Sequence, residues 1–107
     1  MYNNLTEIIK WVQMIASLTG VLTSIGKSEI IIEVNGVGYL LNVTSKLIST
    51  LGEIGSTLSV YTDLQIKDDK ILMYGFTTVA DQDFFRMLQT VQGIGPKAAL
   101  SILSALA

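Results

Sequence analysis

Two short stretches of the sequence carry residue types that could do chemistry. The first is Gly93-Ile94-Gly95-Pro96-Lys97, near the C-terminal end. Glycine permits backbone angles with φ > 0, which a tight helix-to-helix connection needs. Proline suits the first position of a helix, where its missing N–H would have had no partner. Lys97 to Ala107 contains neither Gly nor Pro and is rich in Ala and Leu, so it reads as helix. Such a turn gathers the free backbone N–H groups of Gly93, Gly95, Lys97 and Ala98 at the positive end of a helix. A phosphate could sit there with no side-chain acceptor in the way, and the Lys97 ammonium would add charge. Nothing in this arrangement reads a base, so a site of this kind grips backbone and is indifferent to sequence. The second stretch is Lys67-Asp68-Asp69-Lys70. Its adjacent carboxylates fit ordinary turn chemistry. They do not amount to a metal site, because two neighbouring side chains without further oxygen ligands cannot complete a coordination shell.

The elements that must position these residues are legible from periodicity. Ahead of the glycine turn, Ala80, Phe84, Met87, Leu88 and Val91 fall on one helical face. Thr77 or Thr78 is placed to cap that helix, with Asp81 and Asp83 near its positive end. Further upstream the pattern is of short strands: Ser17–Ser24, then Glu29–Val34 after a turn at Gly26-Lys27-Ser28, then Gly38–Val43. Asn35-Gly36 is a two-residue hairpin signal, since a type I′ turn needs φ > 0 at both central positions. Ser45–Leu51 reads as a short helical turn ended by Gly52, Thr57–Ile66 as a longer strand, and Ile71–Tyr74 as its return partner, with Gly75–Thr78 as a linker. Five strands with short turns and one short helix suit a small closed barrel. Residues 1–13 form a separate extension. Asn4 with Glu7 resembles a capping box, and Leu5, Ile8, Ile9 and Val12 recur at helical spacing; the alternative is a segment upstream of a natural start at Met14. Two phosphate-loop motifs fail on spacing or context. Gly93-x-Gly95-x-x-Ala98 follows a helical pattern rather than the strand a dinucleotide fingerprint requires. Gly26-Lys27-Ser28 has the ending of a nucleotide-binding loop, but Val21 stands where its first glycine belongs.

Composition limits the functional classes. The chain has 107 residues, enough for one domain or a small domain and part of another. It has no cysteine and no histidine, which excludes disulfides, thiolate or His-based zinc sites, and Ser-His or Cys-His nucleophile pairs. Net charge is −2 and the isoelectric point is near 4.8, which argues against a broad electrostatic grip on nucleic acid. DNA binding through a few placed amides and one or two lysines remains open, and a single chain should bind weakly. Hydrophobic residues make up 50% and mean hydropathy is +0.52, which predicts a well-filled core or apolar surface reserved for partner subunits. No apolar run reaches the roughly 18 residues needed to span a bilayer.

Phe85-Arg86-Met87-Leu88 and Val91-Gln92-Gly93-Ile94-Gly95-Pro96-Lys97-Ala98-Ala99-Leu100 together resemble a helix-hairpin-helix DNA-binding motif. Ile32-Glu33-Val34-Asn35-Gly36-Val37-Gly38-Tyr39, and Lys67-Asp68-Asp69 followed by Leu72-Met73-Tyr74-Gly75-Phe76, agree in order and spacing. Together these motifs resemble the N-terminal half of the RuvA family, from about Met14 onward. The resemblance implies a mainly β chain with some α: a five-stranded OB-type barrel over residues 14–75, then a single helix-hairpin-helix over 76–107. It implies phosphate contacts at Gly93, Gly95, Lys97 and Ala98, and an acidic pin at Asp68 and Asp69 that projects toward the centre of a four-way junction. Carboxylates there would penalise continuous duplex while tolerating strands that part around them. The expected role is that of a non-catalytic subunit of a branch-migration helicase: cytoplasmic, homotetrameric, without cofactor or metal, partnered by four-way junction DNA and a RuvB-type ATPase motor. Family members continue with a second helix-hairpin-helix and a motor-contacting domain beyond the point where this chain stops. They also tend to carry arginine around Ala16, Ser17 and Thr19, which agrees with the acidic isoelectric point here.

Two rival readings come from other classes. One is an assembly domain that oligomerises but no longer binds DNA usefully, favoured by the acidic charge and apolar content. The other is a general oligonucleotide binder using the barrel face, with Tyr39, Tyr61 and Tyr74 as candidate stacking residues, although tyrosines in strands are more often packed. An enzyme has the least support, because the paired carboxylates lie at a turn with no base, metal set or nucleophile pair around them.

Overall fold

The computed structural model describes residues 16–106, so the expected helix within residues 1–13 lies outside the described residues. Five strands close into a barrel in the order β1-β2-β3-β5-β4. They are β1 (Ser17–Ile25), β2 (Glu29–Val34), β3 (Val37–Val43), β4 (Thr57–Lys67) and β5 (Lys70–Phe76). A short helix α1 (Ser45–Ser49) lies between β3 and β4, and helices α2 (Val79–Leu88) and α3 (Pro96–Ala105) follow the barrel. All neighbouring strands are antiparallel except β3 and β5, which meet in a short parallel pairing at Asn42↔Tyr74 and Val43↔Gly75. This is the expected OB-type barrel with a helical pair behind it.

Local chemistry explains the elements. Asn35 and Gly36 both have positive φ, +50° and +83°, as the hairpin between β2 and β3 requires. The apolar alternation of β2 sends Ile30 and Ile32 fully inward. There they meet Leu22, Leu41, Val43, Leu47 and Val60 in the barrel core. Gly20 sits where β1 crosses closest to β2: a Cβ there would lie 2.3 Å from the Glu33 carbonyl oxygen, so the crossing admits no side chain. Thr44 caps α1 by accepting from the Leu47 N–H, and Thr78 caps α2 by accepting from the Asp81 N–H at 3.1 Å.

Two expectations need correction. Gly75 and Phe76 belong to β5 rather than to a linker, because Gly75 pairs with Val43 and Thr62, and Phe76 pairs with Tyr61. The buried face of α2 is also rotated by about one residue from the predicted stripe. Ala80, Met87 and Val91 are exposed, α2 ends at Leu88, and the buried residues are Gln82 and Phe85. The cause is a second core. Phe85, with no exposed surface, packs between Tyr74 and Phe76 at ring-centroid distances of 4.9 and 4.8 Å, and Ala99 and Leu103 of α3 complete the cluster. Counting apolar residues could not show that a glutamine would share the buried face with a phenylalanine.

Gly20→Ala is expected to cost about 1–3 kcal/mol, the usual scale of forced overpacking. Urea denaturation followed by circular dichroism measures it. A loss under about 0.5 kcal/mol, the range of ordinary surface changes, would mean the β1–β2 crossing is not tightly set.

Candidate nucleic-acid interface

The glycine turn leaves several backbone N–H groups together at the start of a helix. Between α2 and α3 the chain turns on an Ile94 N–H to Val91 carbonyl bond of 3.1 Å, with Gly93 at φ +87° inside it. Gly95 is the N-cap of α3 and supplies no side-chain cap, while Pro96 occupies the first turn. The Ala99 N–H reaches back to the Gly95 carbonyl at 3.0 Å, which starts the helical ladder. The N–H groups of Gly93, Gly95, Lys97 and Ala98 are not engaged by other backbone groups among the described residues. Gly93, Lys97 and Ala98 are exposed and Gly95 is half-buried. The structure therefore brings the four sequence-predicted residues together at one helix start.

The two glycines differ in why they are glycine. Gly93 needs its positive φ. Gly95 does not use that freedom, since its φ of −91° and ψ of −176° suit any residue. A Cβ on Gly95 would meet nothing within 4 Å. Neither backbone conformation nor packing within the chain demands glycine at position 95.

The second predicted group is at the far end of the β4–β5 hairpin. Lys67 and Lys70 pair, and Asp68 and Asp69 form the two-residue turn with φ of +52° and +61°. Aspartate tolerates this left-handed region better than most residues. Both carboxylates are exposed at the tip. No group of acidic side chains that could hold a metal exists among the described residues.

Sequence reasoning missed the residues that fasten the helices to the barrel. Asp63 of β4 is 1% exposed and its Oδ1 accepts from Arg86 Nε at 3.2 Å. Its Oδ2 accepts from Gln65 Nε2 at 3.0 Å. Gln82 Nε2 donates to the carbonyls of Thr62, at 2.7 Å, and Ala16, at 3.3 Å. A charged residue at an inward position of a strand was the available signal. Tyr74, the residue opposite Asp63 in β5, is packed rather than presented to solvent, so it cannot serve as a stacking platform; Tyr61 is exposed and Tyr39 half-buried. Among the described residues no helix is long and apolar enough to cross a membrane.

A closed five-stranded barrel of OB type, joined to two helices by a glycine turn, defines the class of fold. A family model described as the RuvA N-terminal domain matches residues 14–75, and the chain belongs to that family. Its relatives include three proteins named Holliday junction branch migration complex subunit RuvA. The one from Erythrobacter litoralis is 47% identical over 87% of this chain and 46% of its own length. That from Chelativorans sp. is 43% identical over 87% of this chain and 46% of its own, and that from Herpetosiphon aurantiacus is 42% identical over 86% and 47%. The chain thus spans about half the length of the curated relatives it matches.

Burial, and secondarily the Asp63 carboxylate, raise the Tyr74 phenol above its ordinary value of 10.0. A raised folded-state value means that the phenol contributes stability fully below the unfolded pKa and loses it as pH rises through the folded one. Stability should therefore fall above pH 10. Tyr74→Phe should flatten that alkaline limb by up to about 1.4 kcal/mol per pH unit, the limit for one proton. Denaturation at a series of alkaline pH values tests this; parallel slopes for the two proteins would contradict it.

Proposed function

We propose that this chain binds the backbone of four-way DNA junctions without sequence preference, as a non-catalytic subunit of a branch-migration assembly. The observation that carries the reading is Gly95. A glycine that the chain itself does not require, beside unengaged N–H groups and an exposed lysine, makes sense when a partner's backbone must approach closely. Lys97 stands on the rim of an open cavity of about 610 Å³ that Lys27 also lines and that no carboxylate lines. In a chain of net charge −2, that side is the one suited to a polyanion. The phosphate contacts are Gly93, Gly95, Lys97 and Ala98. Asp68 and Asp69 act by repulsion, favouring strands that diverge around the tip over a duplex lying across it. The names of the relatives, which refer to Holliday junctions and branch migration, agree with this role.

The single glycine turn among the described residues gives one weak contact, so useful affinity calls for several contacts acting together, and a homotetramer is the proposed form. Exposed apolar residues on the barrel, Val37, Leu40 and Ile71, supply surface for such assembly. An ATP-driven motor of the RuvB type is the proposed partner for strand movement. Assembly without DNA binding is the second reading, favoured by the same apolar surface.

Titration against a four-way junction and a linear duplex of equal length, at two salt concentrations, tests these readings. The junction should bind tighter, and its affinity should fall steeply with salt. Gly95→Ala should leave stability unchanged or slightly raised yet weaken binding about tenfold, the scale of one hydrogen bond to a charged group. Lys97→Glu should weaken binding to both DNAs and lower the salt slope by about one. Asp68→Asn with Asp69→Asn, which keeps residues tolerant of positive φ, should reduce the preference for the junction. No binding to either DNA at low salt would sink the DNA reading and leave the assembly domain standing.

A further inference from the structure

The two groups assigned to DNA sit on different structural units, and one polar joint connects them. Asp63 lies on β4, and five residues further along the same strand the chain reaches Asp68, a span of about 17 Å at ordinary strand rise. Arg86 lies on α2, and seven residues further on the chain reaches Gly93. The Arg86–Asp63 contact thus joins the element that carries the acidic tip to the element that leads into the glycine turn. Gln82, 5% exposed, adds two bonds from one turn earlier on α2, to Thr62 and to Ala16. At the far end of α3, Ser104 Oγ accepts from the Ser45 N–H at 3.3 Å, a further hydrogen bond from the helical pair to the rest of the fold.

Apolar packing alone would leave this interface under-determined. Phe85 against Tyr74 and Phe76 supplies adhesion, but the hydrophobic effect is non-directional and permits a helix to slide or roll. A carboxylate with 1% exposure is different, since it must keep its donors or bear the cost of an unpaired buried charge. Asp63 uses both oxygens, one for Arg86 and one for Gln65, so its orientation is fixed by a neighbour on β4 as well as by α2. One helix position satisfies Arg86 Nε and the Gln82 amide together. We infer that Asp63, Arg86 and Gln82 are positioning residues. They hold the acidic tip and the phosphate-gripping turn at a fixed separation, and through it set the preference for parted strands over continuous duplex. None of them touches DNA. The consequence for selectivity rests on the proposed junction binding; the geometry of the joint does not.

The test exploits the absence of cysteine. Spin labels on Lys70→Cys, at an exposed site next to the acidic tip, and Gln92→Cys, at an exposed site beside the glycine turn, report the separation as a distance distribution. The key variant is Asp63→Leu with Arg86→Met. Asp63 is buried and Arg86 partly exposed, and replacing an ion pair that has a buried carboxylate by apolar groups of similar size commonly preserves stability, so folding is retained while direction is lost. The expected result is a broadened distance distribution and a junction-over-duplex ratio reduced about threefold to tenfold, within the range of couplings carried by packed networks. Affinity for linear duplex should be nearly unchanged. A folded double variant with an unchanged narrow distribution would overturn the joint. A broadened distribution with an unchanged ratio would overturn its role in selectivity. If the apolar pair does not fold, Arg86→Lys and Gln82→Met are judged by the same two readouts. Failure of the unsubstituted chain to bind junctions would defeat the DNA reading and the selectivity with it, while the distance measurement still upholds or overturns the joint.

Discussion

The short parallel contact between β3 and β5 is the constraint on which the remaining architecture depends. It consists of Asn42 opposite Tyr74 and Val43 opposite Gly75, with the Asn42 amide donating to the Met73 carbonyl at 3.3 Å. Without it the sheet stays open and leaves two unpaired edges. Gly75 eases the approach: a Cβ there would lie 3.3 Å from both Leu41 Cδ1 and Val43 Cγ1, tighter than ordinary van der Waals contact. The same strand begins at the acidic turn and ends at Phe76, and its Tyr74 and Phe76 form the surface on which Phe85 docks. Closing the barrel, presenting the acidic tip and seating the helices are therefore one event for β5. A change that loosens its pairing with β3 would be felt at all three places.

An acidic protein that binds a polyanion must localise its attraction. Net charge of −2 rules out long-range attraction as the main source of affinity. Backbone amides avoid this problem, because their partial charges are fixed by the fold, are unaffected by pH, and act only at contact. The cost is a short reach. The carboxylates sit on a hairpin tip, away from the amide cluster in the sequence. Under the proposed function, one chain would attract backbone at one point and repel it at another, and selectivity for a shape would follow from the distance between the two.

Much of this was legible from residue types. Asn35-Gly36 announced its turn, the apolar alternation of β2 announced its inward face, and Gly-x-Gly-Pro-Lys announced the helix start. These are local signals, each fixed by backbone conformations that few residues adopt. What stayed hidden was non-local. The boundary of β5 at Phe76 depends on Val43 and Tyr61, strands away in sequence. The buried face of α2 depends on Gln82 and Arg86 finding acceptors on β4, and no periodicity of apolar residues can encode that. Gly95 looked like a twin of Gly93, because composition cannot tell a glycine needed for φ from one needed for clearance.

That last distinction bears on how such sites should be judged. A glycine with positive φ explains itself within the chain, so it says little about ligands. A glycine in an ordinary extended conformation, with open space where its Cβ would be, has no internal reason to be glycine. Replacing it by alanine would even remove conformational freedom from the unfolded chain and tend to stabilise the fold. Keeping glycine there forgoes that stability, and clearance for an external backbone is the reason that the proposed function would supply. Asp63 argues in the same direction from the opposite side. A buried carboxylate contributes little to stability compared with an apolar residue of its size. What it supplies is a direction, which apolar packing alone does not.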